Sequence, residues 1–132
     1  MEISVLQEQG RVPVTVFDIR GEITADTAAR LLEEADRAIA GGTQNLVLDL
    51  TNVPYIGSFG LRALNDVLKR LHQGAPDQSE EQLRQALRDG RFKSTHLKLV
   101  NPNPQVMKVL QTTGFDMLLE VYPTVKKAIA SF

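Results

Sequence analysis

Residues 45–64, NLVLDLTNVPYIGSFGLRAL, hold the passage on which the fold turns. NLVLDL, residues 45–50, is a short and nearly continuous apolar run between turn signals. Such a run suits a strand covered on both faces. From residue 58 to 72 the spacing becomes helical, with Leu61, Leu64, Leu68 and Leu71 on one stripe. Between the two lies PYIGSFGL, residues 54–61, in which Ser58 is set between Gly57 and Gly60. A hydroxyl where a buried strand hands over to a helix has three readings. It is a nucleophile, a phosphate acceptor or a helix cap.

Working outward, residues 2–8 and 12–19 read as strands, since Ile3 and Val5, then Val12, Val14 and Val16, alternate with other residues. Gly10 between them marks a hairpin. Gly21 breaks the pattern, and Thr24 caps a helix whose first turn carries Asp26. Ala28, Leu31, Leu32, Ala35 and Ile39 give that helix its apolar face, and Gly41 and Gly42 stop it. Residues 96–101, HLKLVN, read as a strand. Asn103 and Pro104 suit a cap and first helical position, with Val106, Met107 and Leu110 inward and Gly114 at the end. DMLLEVY, residues 116–122, is expected as a strand, and Pro123 starts a last helix carrying Val125, Ala128 and Ile129.

The order β-β-α-β-α-β-α-β-α predicts an α/β fold with a mixed, mostly parallel sheet opened by a hairpin. The 132 residues suit a single domain, 1–132. Residues 73–95 separate a helix from a strand by far more than the usual connection of about 2–6 residues. Ser79 and Gln82 form a capping box there, Leu83 and Leu87 a weak stripe, and Gly90 a stop. The stretch is expected to be an insertion holding a short extra helix.

Composition narrows the function. A formal net charge of −1 gives no electrostatic case for nucleic acid or for an anionic membrane surface. The absence of cysteine excludes disulfides, thiolate metal sites and cysteine nucleophiles. No apolar run approaches the roughly 20 residues that span a bilayer. The start, MEISVLQEQG, lacks a basic segment followed by an apolar block, so no signal peptide is expected and the default address is the cytoplasm.

The nucleophile reading of Ser58 fails on spacing, because the hydrolase elbow needs glycine two residues earlier and Ile56 stands there. A triad also needs a histidine base. The chain has His72, about 20 Å along the helix from Ser58, and His96, which opens a strand after residues 73–95 and is not placed by sequence alone. Both are expected as surface or core residues. No phosphate-binding glycine motif is present. The two histidines are read as distant from each other, and Asp49, Asp66 and Asp89 lack ligand spacing. No catalytic residue, metal or cofactor is expected. A cap remains, and so does a phosphate acceptor, since a helix N-terminus tolerates negative charge.

NLVLDLTNVPYIGSFGLRAL resembles the signature of STAS domains, the fold of anti-sigma factor antagonists, in which a strand ending D-L-x-x-V leads to D-S-[ST]-G-L. RGEIT, residues 20–24, is similar to the family's G-E-[LI]-D turn, and NPNPQVMKVLQTTGF, residues 101–115, to its third-helix segment. The resemblance covers nearly all of the chain outside 73–95 and implies helices mainly on one side of the sheet. It makes Ser58 the phosphoacceptor for a partner kinase. It also implies a docking face of Glu22, Thr24, Gly57, Ser58, Phe59, Gly60 and Arg62. The implied partner is an anti-sigma factor that doubles as a serine kinase of the GHKL type, and a weak homodimer is a further expectation. Gly57 and Thr24 stand where the family usually has aspartate, and Phe59 where it has a second small hydroxyl residue. The Gly57 and Thr24 departures favour an alternative, a non-phosphorylated subunit that scaffolds a larger complex such as a sensory or lipid-transport one. A small-ligand domain using the apolar surroundings of Phe59 is another. Phe59 itself is read as an inward anchor or as an exposed contact.

Overall fold

The computed structural model describes residues 1–73 and 93–132. Strands β1 (Glu2–Gln9) and β2 (Pro13–Arg20) pair antiparallel. Helix α1 (Ala25–Ala40), strand β3 (Leu46–Asn52), helix α2 (Ser58–Gln73) and strand β4 (Leu97–Val100) follow. Then come helix α3 (Pro104–Thr113), a single helical turn α4 (Phe115–Leu118), strand β5 (Glu120–Tyr122) and helix α5 (Val125–Ala130). The strands lie in the order β1-β2-β3-β4-β5, and β2 to β5 run parallel.

That order explains the layering. Each crossover steps in the same direction across the sheet, and right-handed crossovers in one direction put their helices on one face. The period-2 alternation divides the strands accordingly. Phe17, Ile19, Leu46, Leu48, Leu50, Leu97 and Leu99 join Leu31 of α1, Leu64 and Val67 of α2, and Val106 and Leu110 of α3 in the main core. Val14, Val16, Val47 and Val100 face the other way and are covered by Ala128 of α5, with Val125, Ile129 and Phe132 around it. The expected one-sided arrangement therefore holds for α1 to α3, while α5 closes part of the second face.

Lys98 shares that second face and is only 4% exposed. Its ammonium donates to the Ser131 carbonyl at 3.1 Å and to Ser131 Oγ at 2.7 Å, and pairs with Glu120 at 3.3 Å. The rings of Phe132 and Tyr122 lie 4.2 and 5.5 Å from it. A buried charge needs such partners. Tyr122 donates its phenolic hydrogen to Glu120, and that bond, with Lys98, holds the Glu120 carboxyl below its ordinary value. Burial first, and then the carboxylate, push the Tyr122 phenol up.

Three expectations change. Residues 116–122 do not form one strand, because Gly114 takes a left-handed φ of 83° and the chain starts a new turn. The Leu119 N–H donates to the Phe115 carbonyl, so only Glu120–Tyr122 reach the sheet. The last helix is capped by Thr124, whose hydroxyl accepts from the Lys127 N–H, and Pro123 precedes the cap. The histidines are not distant: the rings of His72 and His96 stand edge to face with centroids 5.1 Å apart. Ser79, Gln82, Leu83, Leu87 and Gly90, read as an extra helix and its stop, lie outside the described residues.

Candidate functional site

The face expected to carry function forms at the C-terminal ends of β2 and β3. Two chain segments meet there through the backbone. The Gly21 N–H donates to the Asn52 carbonyl at 3.0 Å and the Ile23 N–H to the Tyr55 carbonyl at 3.0 Å. The Gly57 N–H returns a bond to the Ile23 carbonyl at 2.9 Å, and Ile23 and Ile56 form an isolated parallel bridge. The turn at 20–24 is thus laced to the loop that leads into α2. Thr24 caps α1, its N–H donating to Thr27 Oγ1, whose hydroxyl donates to the Glu22 carbonyl. Asn103 fastens the third side. Its Oδ1 caps α3 at Val106, and its amide group reaches the Val53 and Pro54 carbonyls, both at 3.3 Å.

The first turn of α2 sits directly on this lacing, and Gly60 is why it fits. A Cβ there would stand 2.6 Å from the Ile23 carbonyl oxygen, and 2.9 and 3.0 Å from methyls of Ile23 and Ile56. Gly60 is buried, so it shapes the face from below. Glu22, Ser58, Phe59 and Arg62 are exposed, and Gly57 and Thr24 are half-buried.

Ser58 is not the helix cap. The Leu61 N–H donates to the Gly57 carbonyl at 3.0 Å, which makes Gly57 the half-in residue and Ser58 the first residue of α2. Phe59 is 53% exposed, which rules out the inward-anchor reading, and the Arg62 guanidinium stands 5.6 Å from its ring centroid. Tyr55, 48% exposed, belongs to the same surface. Sequence reasoning passed over it, because nothing local tells an outward from an inward aromatic in PYIG.

A serine–histidine contact does exist, at the other end of α2. His72 Nε2 lies 2.9 Å from Ser94 Oγ. That oxygen also accepts the backbone N–H groups of His96 and Leu97, which fill its two acceptor positions and turn its hydrogen toward the imidazole. Ser94 is fully buried, so the arrangement ties the entry of β4 to α2 and offers no nucleophile to solvent. Among the described residues no group of three or more histidine, aspartate or glutamate side chains is placed to hold a metal ion.

Residues 4–75 and 79–128 match the STAS domain family. The chain belongs to that family. Only residues 76–78 fall outside the match in the stretch read as an insertion, so most of 73–95 aligns with the family. This STAS domain is similar to an anti-sigma factor antagonist from Mycobacterium paratuberculosis, with 25% identity over 98% of this chain and 93% of the other, TM-score 0.69. It is also similar to an anti-sigma-factor antagonist (STAS) domain protein from Planctomyces limnophilus, 21% identical over 96% and 93%, TM-score 0.67. SpoIIAA is similar in its unphosphorylated form, 19% identical over 96% and 93%, TM-score 0.67. The phosphorylated form of SpoIIAA from Bacillus gives 16% over 96% of both chains, TM-score 0.59. No curated protein matches the sequence. The fold of this STAS domain is thus that of anti-sigma factor antagonists, and no helix among its described residues is long and apolar enough to cross a membrane.

Proposed function

We propose that this STAS domain is a non-enzymatic, cytoplasmic regulator of transcription. It binds an anti-sigma factor and is released when that partner, a GHKL-type serine kinase, phosphorylates Ser58. The observation that carries the reading is the exposed Ser58 at the first position of α2, flanked by the exposed rings of Tyr55 and Phe59. The exposed rings supply a contact area, and exposure leaves Ser58 open to a kinase. The helix N-terminus accommodates the added charge within the domain itself. The charge is therefore felt mainly by the docked partner, where an unpaired charge in a desolvated contact costs several kcal/mol. About 1.4 kcal/mol already changes affinity tenfold.

Calorimetry with a copurified partner tests the reading. Ser58→Ala should bind as the unmodified domain does, and Ser58→Asp at least tenfold more weakly while melting normally. Equal binding by all three would reject the switch. It would favour the second reading, a scaffold subunit without phosphorylation, which the missing carboxylates at Gly57 and Thr24 support.

A further inference from the structure

β1 is one of the two outer strands of the sheet, and all of its residues except Ile3 are exposed. An edge strand presents a row of unpaired backbone groups, and natural proteins usually blunt it with lysine, proline, a bulge or a short length. β1 runs for eight residues in unbroken register with β2 and contains neither lysine nor proline. It carries Val5 and Leu6, 43% and 47% exposed, two of the five large apolar side chains exposed among the described residues.

We propose that β1 pairs antiparallel with β1 of a second copy of this chain, about a two-fold axis at Leu6, making one continuous ten-stranded sheet. Symmetry restricts the choice. A two-fold axis perpendicular to the sheet keeps each face continuous, so residues from the same face must oppose each other. Centring on Val5 would put Glu2 opposite Glu8 twice, and like charges directly opposed are unfavourable. Centring on Gln7 would set Glu8 against Leu6. Centring on Leu6 opposes Leu6 to Leu6, Val5 to Gln7, Ser4 to Glu8 and Ile3 to Gln9, with no glutamate pair. These two glutamates are the only charges on the strand.

The same register completes an apolar row. Leu6 stands beside Val16, and Val16 beside Val47, on the face that α5 covers over β3 to β5. Across the axis the row becomes Val47, Val16, Leu6 and then Leu6, Val16, Val47 of the second copy. One strand pair buries little area, so the dimer is weak and concentration-dependent. The proposal does not depend on the reading of Ser58.

The absence of cysteine makes a direct test available. Leu6→Cys should give a covalent dimer with a short bismaleimide. Glu8→Cys should not, because its two copies would lie four residues apart along the strands, about 13 Å. Sedimentation of the unmodified chain should show an average mass rising with concentration toward that of a dimer. Leu6→Lys, changed at a solvent-facing position, should stay monomeric and melt as the parent does. A chain that is monomeric at every concentration overturns the proposal. So does a dimer that crosslinks no better through Cys at 6 than at 8.

Discussion

Gly60 is the residue on which the geometry of the candidate face depends most. Alanine in place of glycine within a helix ordinarily stabilises by about 1 kcal/mol. Here the new methyl would meet the Ile23 carbonyl, which belongs to the lacing itself and cannot swing aside. Overpacking of that kind costs about 1–3 kcal/mol. Gly60→Ala is expected to be less stable on balance, seen as a lower urea midpoint at unchanged slope. Gly57 is the opposite case. Its φ is not positive, and the nearest atom to an added Cβ is Tyr55 Cε1 at 3.5 Å. It occupies the cap position of α2, where aspartate is favoured. Gly57→Asp should therefore melt at or slightly above the parent. If Ser58 is a kinase substrate, the restored carboxylate should also quicken phosphoryl transfer. A folded variant with an unchanged transfer rate would remove the carboxylate from the account. Ser58→Ala should lose less than the roughly 1 kcal/mol of a lost cap, because Gly57 holds that position.

At the scale of elements, β4, β5 and α5 are joined by the Lys98, Glu120 and Tyr122 cluster, and this gives the fold a pH signature. A carboxyl held below its ordinary value of 4.5 contributes stability that is complete above that pH and lost as pH falls through the folded value. Tyr122, raised above 10.0, contributes below that pH and loses its contribution as pH rises through the folded value. Thermal melts from about pH 6 to about pH 3 should show the parent losing more stability than Glu120→Gln. Parallel acid limbs would show that the bond from Tyr122 has no weight in solution. The elements were largely legible because their signals are local. The apolar run at 45–50, the leucine spacing from 61 to 71 and the Asn103–Pro104 start each mark one element. The run at 116–122 misled, since a short apolar stretch carries no period that separates strand from helical turn. The cap at Ser58 was misplaced by one residue, a shift that the Gly57 carbonyl decides and composition does not. The lacing of 20–24 to 52–57 and the meeting of His72 with His96 are contacts between remote segments. No local pattern records them. The family signature points to the proposed face as a region, and burial then sets Gly60 beneath the exposed residues around it.

For the whole molecule, the two apolar layers lie on opposite faces of the same three strands, β2, β3 and β4. Neither layer survives loss of the sheet, so unfolding is expected as one transition, with far-ultraviolet dichroism and tyrosine fluorescence changing together. A chain ending at Tyr122 would leave Val14, Val16, Val47 and Val100 without their cover. It should lose the sharp transition, and a sharp melt in that variant would show the second layer to be dispensable. The direction of α2 has a practical consequence. Its 16 residues span about 24 Å, from Ser58 at one end to Gln73 at the other. Gln73 is exposed, at the end of α2 away from the proposed docking face. A dye coupled to a single cysteine at that position would leave the proposed contact surface untouched. It would report a bound partner through slower tumbling rather than through quenching, giving an anisotropy assay for any candidate without labelling the candidate.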